Sequence, residues 1–100
     1  MEIIWSRAAD RDLTKIYAYL EPRSLRAARE VLRHLFKAID RLAEMPRLGT
    51  LTDLGAEREY RQFVVEHYKI FYYIGQEQLI IVRLWDTRQD PTKFFVPPSP

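Results

Sequence analysis

Cysteine is absent from the 100-residue chain, and histidine occurs only as His34 and His67. A disulfide framework is therefore excluded, and a structural zinc site is not expected from so few ligands; no other metal and no cofactor is expected either. Long apolar runs are missing too. Nothing approaches the roughly 20 residues that span a bilayer, and no basic-then-apolar segment marks a leader, so a soluble, cytoplasmic protein without a membrane partner is expected. Internal repeats are lacking, and the one compositional bias is the proline-rich end, Pro97-Pro98-Ser99-Pro100.

What is present fits one α+β domain over residues 1–100. Hydrophobic residues make up 47% of the chain, and the six prolines are scattered or terminal. Formal net charge is +2, but it is unevenly spread. Residues 1–50 carry ten Lys or Arg against seven acids, and residues 51–100 carry six against seven. A basic N-terminal half suits an acidic protein or a phosphate backbone as partner; an ordinary solvated helix surface would look the same.

The densest signal lies between Tyr60 and Asp86, where three β-branched and aromatic runs are separated by Glu66-His67 and by Gly75-Gln76-Glu77-Gln78. Such runs predict an antiparallel meander over 60–86. With Glu66-His67 as a two-residue turn, Val65 faces Tyr68, Phe63 faces Ile70 and Arg61 faces Tyr72. One face then reads Arg61, Phe63, Val65, Tyr68, Ile70, Tyr72, Ile74 and is expected to be core. The other reads Tyr60, Gln62, Val64, Lys69, Phe71, Tyr73 and is expected to be an open, working surface. If Ile80, Val82 and Leu84 pack inward, Arg83 and Trp85 join that open face, where an arginine among aromatics has the composition of a binding hot spot. Glu-His is an unusual turn pair, because such turns need positive φ.

Upstream, Glu2-Ile3-Ile4-Trp5 predicts a strand within residues 1–5 ending at the helix cap Ser6. Apolar residues Ala9, Leu13, Ile16, Tyr17 and Leu20 recur at helical spacing, which predicts a helix over 7–20 that Pro22 ends. Asp10 and Asp12 are accounted for by the helix dipole. Ser24 caps a second helix over 25–44, whose apolar set covers an arc of roughly 140° and whose Arg26, Arg29, Arg33, Lys37 and Arg41 form a basic stripe roughly 120° wide. The two helices make an antiparallel hairpin that needs a sheet to cover its seam. Residues 45–59 read as a loop without periodicity. The tail, 87–100, ends in apolar and proline residues; Phe94 and Phe95 are expected to dock, on the chain's own helices or on a target.

Several stretches together resemble the RelE/ParE superfamily of type II toxin-antitoxin systems, closest to the ParE-like, plasmid-stabilisation toxins. Ala8, Asp12-Leu13, Ile16 and Tyr19 look like the first-helix pattern of ParE-type toxins; Ala28, Ile39, Leu42, Pro46 and Gly49 look like the second helix and its exit. Arg61-x-Phe63-x-Val65, Tyr68-x-Ile70-x-Tyr72 and Ile81-Val82-Arg83-Leu84 continue it through the sheet. The resemblance implies the RelE/ParE toxin fold: an N-terminal strand and a helix hairpin packed on a mainly antiparallel sheet. It also implies a toxin that forms a hetero-oligomer with a cognate antitoxin, and one of two activities: inhibition of DNA gyrase by binding, or cutting of messenger RNA in the ribosome. An inactive homologue that only binds antitoxin is a third reading.

RNA cutting by the 2′-OH needs a base, a cation for the phosphorane and an acid. Where RNA-cutting relatives carry a His, Tyr or Arg cluster after the last strand, this chain has Leu84, Trp85 and Asp86. The loop before Arg61 offers Asp53, Glu57 and Glu59 in place of lysines. Lys69, Arg88 and Asp86 are the residues that would serve a ribonuclease, and an ordinary aspartate is a weak base at neutral pH. Gyrase binding, without a catalytic site, is therefore the favoured expectation. Arg83, Trp85, Arg88, Phe94 and Phe95 are the expected target contacts; Arg26, Arg29, Arg33, Lys37, Phe71 and Tyr73 are the expected antitoxin contacts.

Overall fold

The computed structural model describes residues 1–55 and 58–96. Glu57 and the proline-rich end, 97–100, lie outside the described residues. Strand β1 (Glu2–Trp5) leads into helices α1 (Arg7–Leu20) and α2 (Leu25–Glu44). Three further strands, β3 (Tyr60–Val65), β4 (Tyr68–Ile74) and β5 (Gln78–Asp86), form the meander. The expected α+β order is what folds. Between α2 and β3, where a plain loop was expected, the chain makes a 3-10 turn (Pro46–Leu48) and a three-residue strand, β2 (Thr50–Thr52), antiparallel to β3. A strand that short has no periodicity to read; pairing with β3 defines it.

The sheet order is β1-β5-β4-β3-β2, with β1 parallel to β5 and every other pair antiparallel. The helix hairpin crosses one face. Leu35, Ile39 and Leu42 of α2 and Ala9 of α1 pack there on Tyr68, Ile70, Tyr72, Leu79, Ile81 and Leu84. Both helix caps act as the sequence implies, Ser6 and Ser24 accepting from the main-chain N–H three residues on.

The β3–β4 register is the expected one, Val65 opposite Tyr68 and Arg61 opposite Tyr72. Glu66 takes the required positive φ, 56°, and its carboxylate meets His34 Nδ1 of α2, which ties the turn to the helix layer. Arg61 is structural: its guanidinium donates to the Gly49 carbonyl at 2.8 Å.

Strict alternation fails in β5. The pairing passes from Phe71–Arg83 to Tyr72–Ile81, so Val82 is an extra residue, a β-bulge. Leu79 and Ile81 therefore face the helices along with Leu84, whereas Ile80 and Val82, expected inward, lie on the opposite face. That face is not an open surface. Tyr60, Phe71, Ile80 and Val82 form a second buried cluster, covered by Phe94 and Val96 of the tail and Leu54 of the β2–β3 loop. Phe94 sits 4.7 Å from the Phe71 ring and 5.1 Å from Trp85, centroid to centroid. The tail thus docks on the chain's own sheet, on the side away from the helices.

Candidate functional site

β5 outruns its neighbour. β1 pairs only as far as Ile81, so the outer edge of β5 beyond it needs new partners. The start of α1 supplies them. The Ser6 hydroxyl donates to the Val82 carbonyl at 3.0 Å while accepting from Ala9 N–H. One turn and a half later, Asp12 Oδ2 accepts from Leu84 N–H at 2.9 Å. The same carboxylate takes both Nε and Nη2 of Arg83, at 2.7 and 3.0 Å. Asp12 and Arg83 are a nearly buried, bidentate pair, their side chains 10% and 11% exposed. Arg83 Nη1 also donates to the Phe95 carbonyl, so one guanidinium joins α1, β5 and the tail.

Beyond this pair, α1 and the end of β5 diverge into a cleft of about 630 Å³. Lys15, Ile16 and Tyr19 line it from α1; Trp85, Asp86, Arg88 and Lys93 line it from the strand and tail, with Tyr68 and Leu84 between. Asp86 is held there by Arg88, whose main-chain N–H, Nε and Nη2 donate at 2.9 to 3.0 Å. Those hydrogen bonds keep the Asp86 carboxyl below the usual aspartate range. Burial raises the Tyr68 phenol, aided by the Asp86 charge, so it stays protonated at neutral pH.

The expected site residues separate in this geometry. Asp86 and Arg88 meet, but as each other's partner. Lys69 stands apart, between Val64 and Trp85 on the face opposite Tyr68, outside the cleft. Arg83 is locked by Asp12 rather than presented on an open surface. Phe71 is 5% exposed and Phe94 covers it, so neither offers a free contact while the tail is docked. Trp85 is half-buried and Phe95 is 65% exposed. Tyr73 lies edge-on to Tyr60 with the Arg58 guanidinium over its ring. Arg26, Arg29, Arg33 and Lys37 are all exposed on α2, with Arg26 near Glu30 at 3.6 Å and Arg33 beside His34. Among the described residues, no group of three or more acids or histidines is placed to hold a metal ion.

Asp12, Lys15, Tyr19, Tyr68 and Lys93 are the site residues that sequence reading missed. Asp12 left a signal: it falls three residues after Ala9 and four before Ile16, inside the apolar arc, where a solvated acid has no place. Lys15 and Lys93 left none, since they belong to elements distant in sequence.

The grip of Arg88 on Asp86 is measurable. A depressed folded-state pKa stabilises the fold above the ordinary aspartate value near about 3.9, and that contribution is lost as pH falls through the folded value. In Arg88→Gln, the Asp86 carboxyl should titrate higher, towards the ordinary value, in a carbon-detected NMR titration. An unchanged midpoint would show that Arg88 does not hold it.

Comparison with known proteins agrees with the fold. The family described as the ParE toxin of the type II toxin-antitoxin system, parDE, matches residues 3–91. A solved structure titled as the chromosomal ParDE TA system from P. aeruginosa superposes with a TM-score of 0.73 at 16% identity. The alignment covers 88% of this chain and 97% of that one. No match was found among curated proteins. Among the described residues, no helix is long and apolar enough to cross a membrane. With the family match spanning nearly the whole sheet and both helices, the chain belongs to the ParE toxin family of type II toxin-antitoxin systems.

Proposed function

We propose that this toxin arrests growth by binding DNA gyrase, without a catalytic site of its own, and that a cognate antitoxin neutralises it. The observation that carries this reading is the Asp86–Arg88 pair. The carboxylate best placed to take a 2′-OH proton is already committed to three donors, which weakens it as a base, and the cation that would hold a phosphorane is the one committed to it. Lys69, the other residue a ribonuclease would use, lies on the far face. For target contact, Arg88 and Trp85 in the cleft wall and the exposed Phe95 remain accessible. For the antitoxin, the exposed stripe Arg26, Arg29, Arg33 and Lys37 offers charge, and the short edge strand β2 offers unpaired backbone groups to an extended acidic segment. Both partners would place its action in the cytoplasm.

The test pairs two assays on the purified chain. Gyrase supercoiling should be inhibited while ribosome-bound message stays intact, and adding the protein encoded beside it should restore supercoiling. In cells, replication arrest and filamentation should precede any fall in translation. Truncation after Asp90 should weaken inhibition and also lower stability, since it uncovers Phe71. Cleavage of ribosome-bound message would replace this reading with the ribonuclease one; antitoxin binding with neither activity would leave only a binding module.

A further inference from the structure

The cleft between α1 and the end of β5 holds more positive charge than its own carboxylates neutralise. Four cations and two acids line it. Asp12 is filled by Arg83 and the Leu84 N–H, and Asp86 is filled by Arg88. Lys15 and Lys93 are left over. One stands on the α1 wall and one on the tail wall; both are exposed, and neither is in an ion pair among the described residues. A single exposed lysine needs no explanation. Two of them, brought to one cleft from positions 78 residues apart, beside acids that are already saturated, leave a cavity built to receive an anion. Tyr68 also lines the cleft, and burial, by raising its phenol, keeps it a neutral hydroxyl there. The volume falls in the range of small-molecule sites, and the lining includes the exposed ring of Tyr19, which carries the Arg23 guanidinium 3.8 Å from its centroid.

We propose that this cleft binds a phosphate ester, with Lys15 and Lys93 holding the phosphoryl oxygens and the remainder of the ester lying against Tyr19. Two ammonium groups match one doubly charged terminal phosphate, or two successive phosphates of a nucleic-acid strand. A lone carboxylate carries one negative charge and would neutralise only one of them. The cleft shares Trp85 and Arg88 with the proposed target surface, but the binding itself requires neither gyrase nor antitoxin, so its test stands apart from the gyrase reading.

The experiment is an amide-resolved NMR titration of the full chain with inorganic phosphate, a mononucleotide, and a short single-stranded oligonucleotide with and without a 5′-phosphate. Saturable shifts should map to residues lining the cleft, with dissociation constants of about 1 mM or tighter. Lys15→Ala and Lys93→Ala should each weaken binding by about tenfold or more, as expected for loss of one charge-assisted contact, at unchanged melting temperature. Lys15→Arg should retain it. Binding that requires the 5′-phosphate identifies a terminal monoester as the source; equal binding without it identifies the strand backbone. The proposal is overturned if no probe gives saturable shifts, if acetate binds as well as phosphate, or if the double lysine variant binds like the wild type.

Discussion

Asp12→Ala is expected to destabilise the protein by about 3 to 5 kcal/mol, the usual cost of breaking a buried ion pair from one side. The fold of a 100-residue domain is worth about 5 to 15 kcal/mol in total, so the variant should be near the limit of folding. Two losses act together. The Arg83 guanidinium is left nearly buried without its anion, and Leu84 N–H loses the acceptor that replaces β1 at the edge of β5. They share one carboxylate and so do not simply add. Asp12→Asn retains an oxygen for Leu84 and should fall between the two. The double variant Asp12→Leu with Arg83→Met should recover most of the stability, because it orphans no charge; the remaining deficit is the unpaired Leu84 N–H, about 1 to 3 kcal/mol. Urea unfolding reads all of these, with a midpoint shift on the order of 2 M for the alanine variant. A midpoint equal to wild type would mean that the pair contributes nothing to α1 docking.

The second large effect lies where α2 hands the chain to the sheet. Tyr72 is fully buried, and its hydroxyl donates to the Pro46 carbonyl at 2.7 Å while accepting from Gly49 N–H at 2.9 Å. A Cβ at Gly49 would lie 2.5 Å from that hydroxyl oxygen and 2.8 Å from the Gln62 carbonyl. Gly49 has φ −72°, so the requirement is space and not backbone conformation. Gly49→Ala should therefore cost about 1 to 3 kcal/mol or more through overpacking against backbone that cannot yield. Tyr72→Phe should cost about 1 to 3 kcal/mol by leaving two main-chain groups unpaired. The two substitutions should be less than additive, since removing the hydroxyl removes the nearest clash. Full additivity in a double-mutant cycle would place the cost of Gly49→Ala at Gln62 instead.

These two sites also mark the division between what could be read along the chain and what could not. The helix boundaries, the caps Ser6 and Ser24, and the β3–β4 register all follow from local rules: a capping side chain, an apolar period, a proline, a two-residue turn. Arg61 was legible as part of the core face because it alternates with core residues. Family membership was legible from the order of several weak patterns. The identity of the second sheet face was not. Phe71 and Tyr73 have the composition of an exposed aromatic surface, and it takes Phe94 and Val96 of the tail, with Leu54, to cover it.

By itself, then, the amino-acid sequence determined both helices, the first strand and the three-strand meander, because helix period, strand alternation and capping act over a few residues. The tertiary structure alone decided the bulge at Val82, the strand β2, the tail's place on the sheet and the pairing of Asp12 with Arg83. Each of these depends on which groups are left without a partner once β1, β5 and the helices are assembled. An edge of β5 that outruns β1 needs an acceptor, and a sheet with two apolar faces needs a second cover. Demands of that kind exist only in the assembled fold, so residues such as Asp12 and Phe94 acquire their roles from neighbours that the chain brings to them from far along its length.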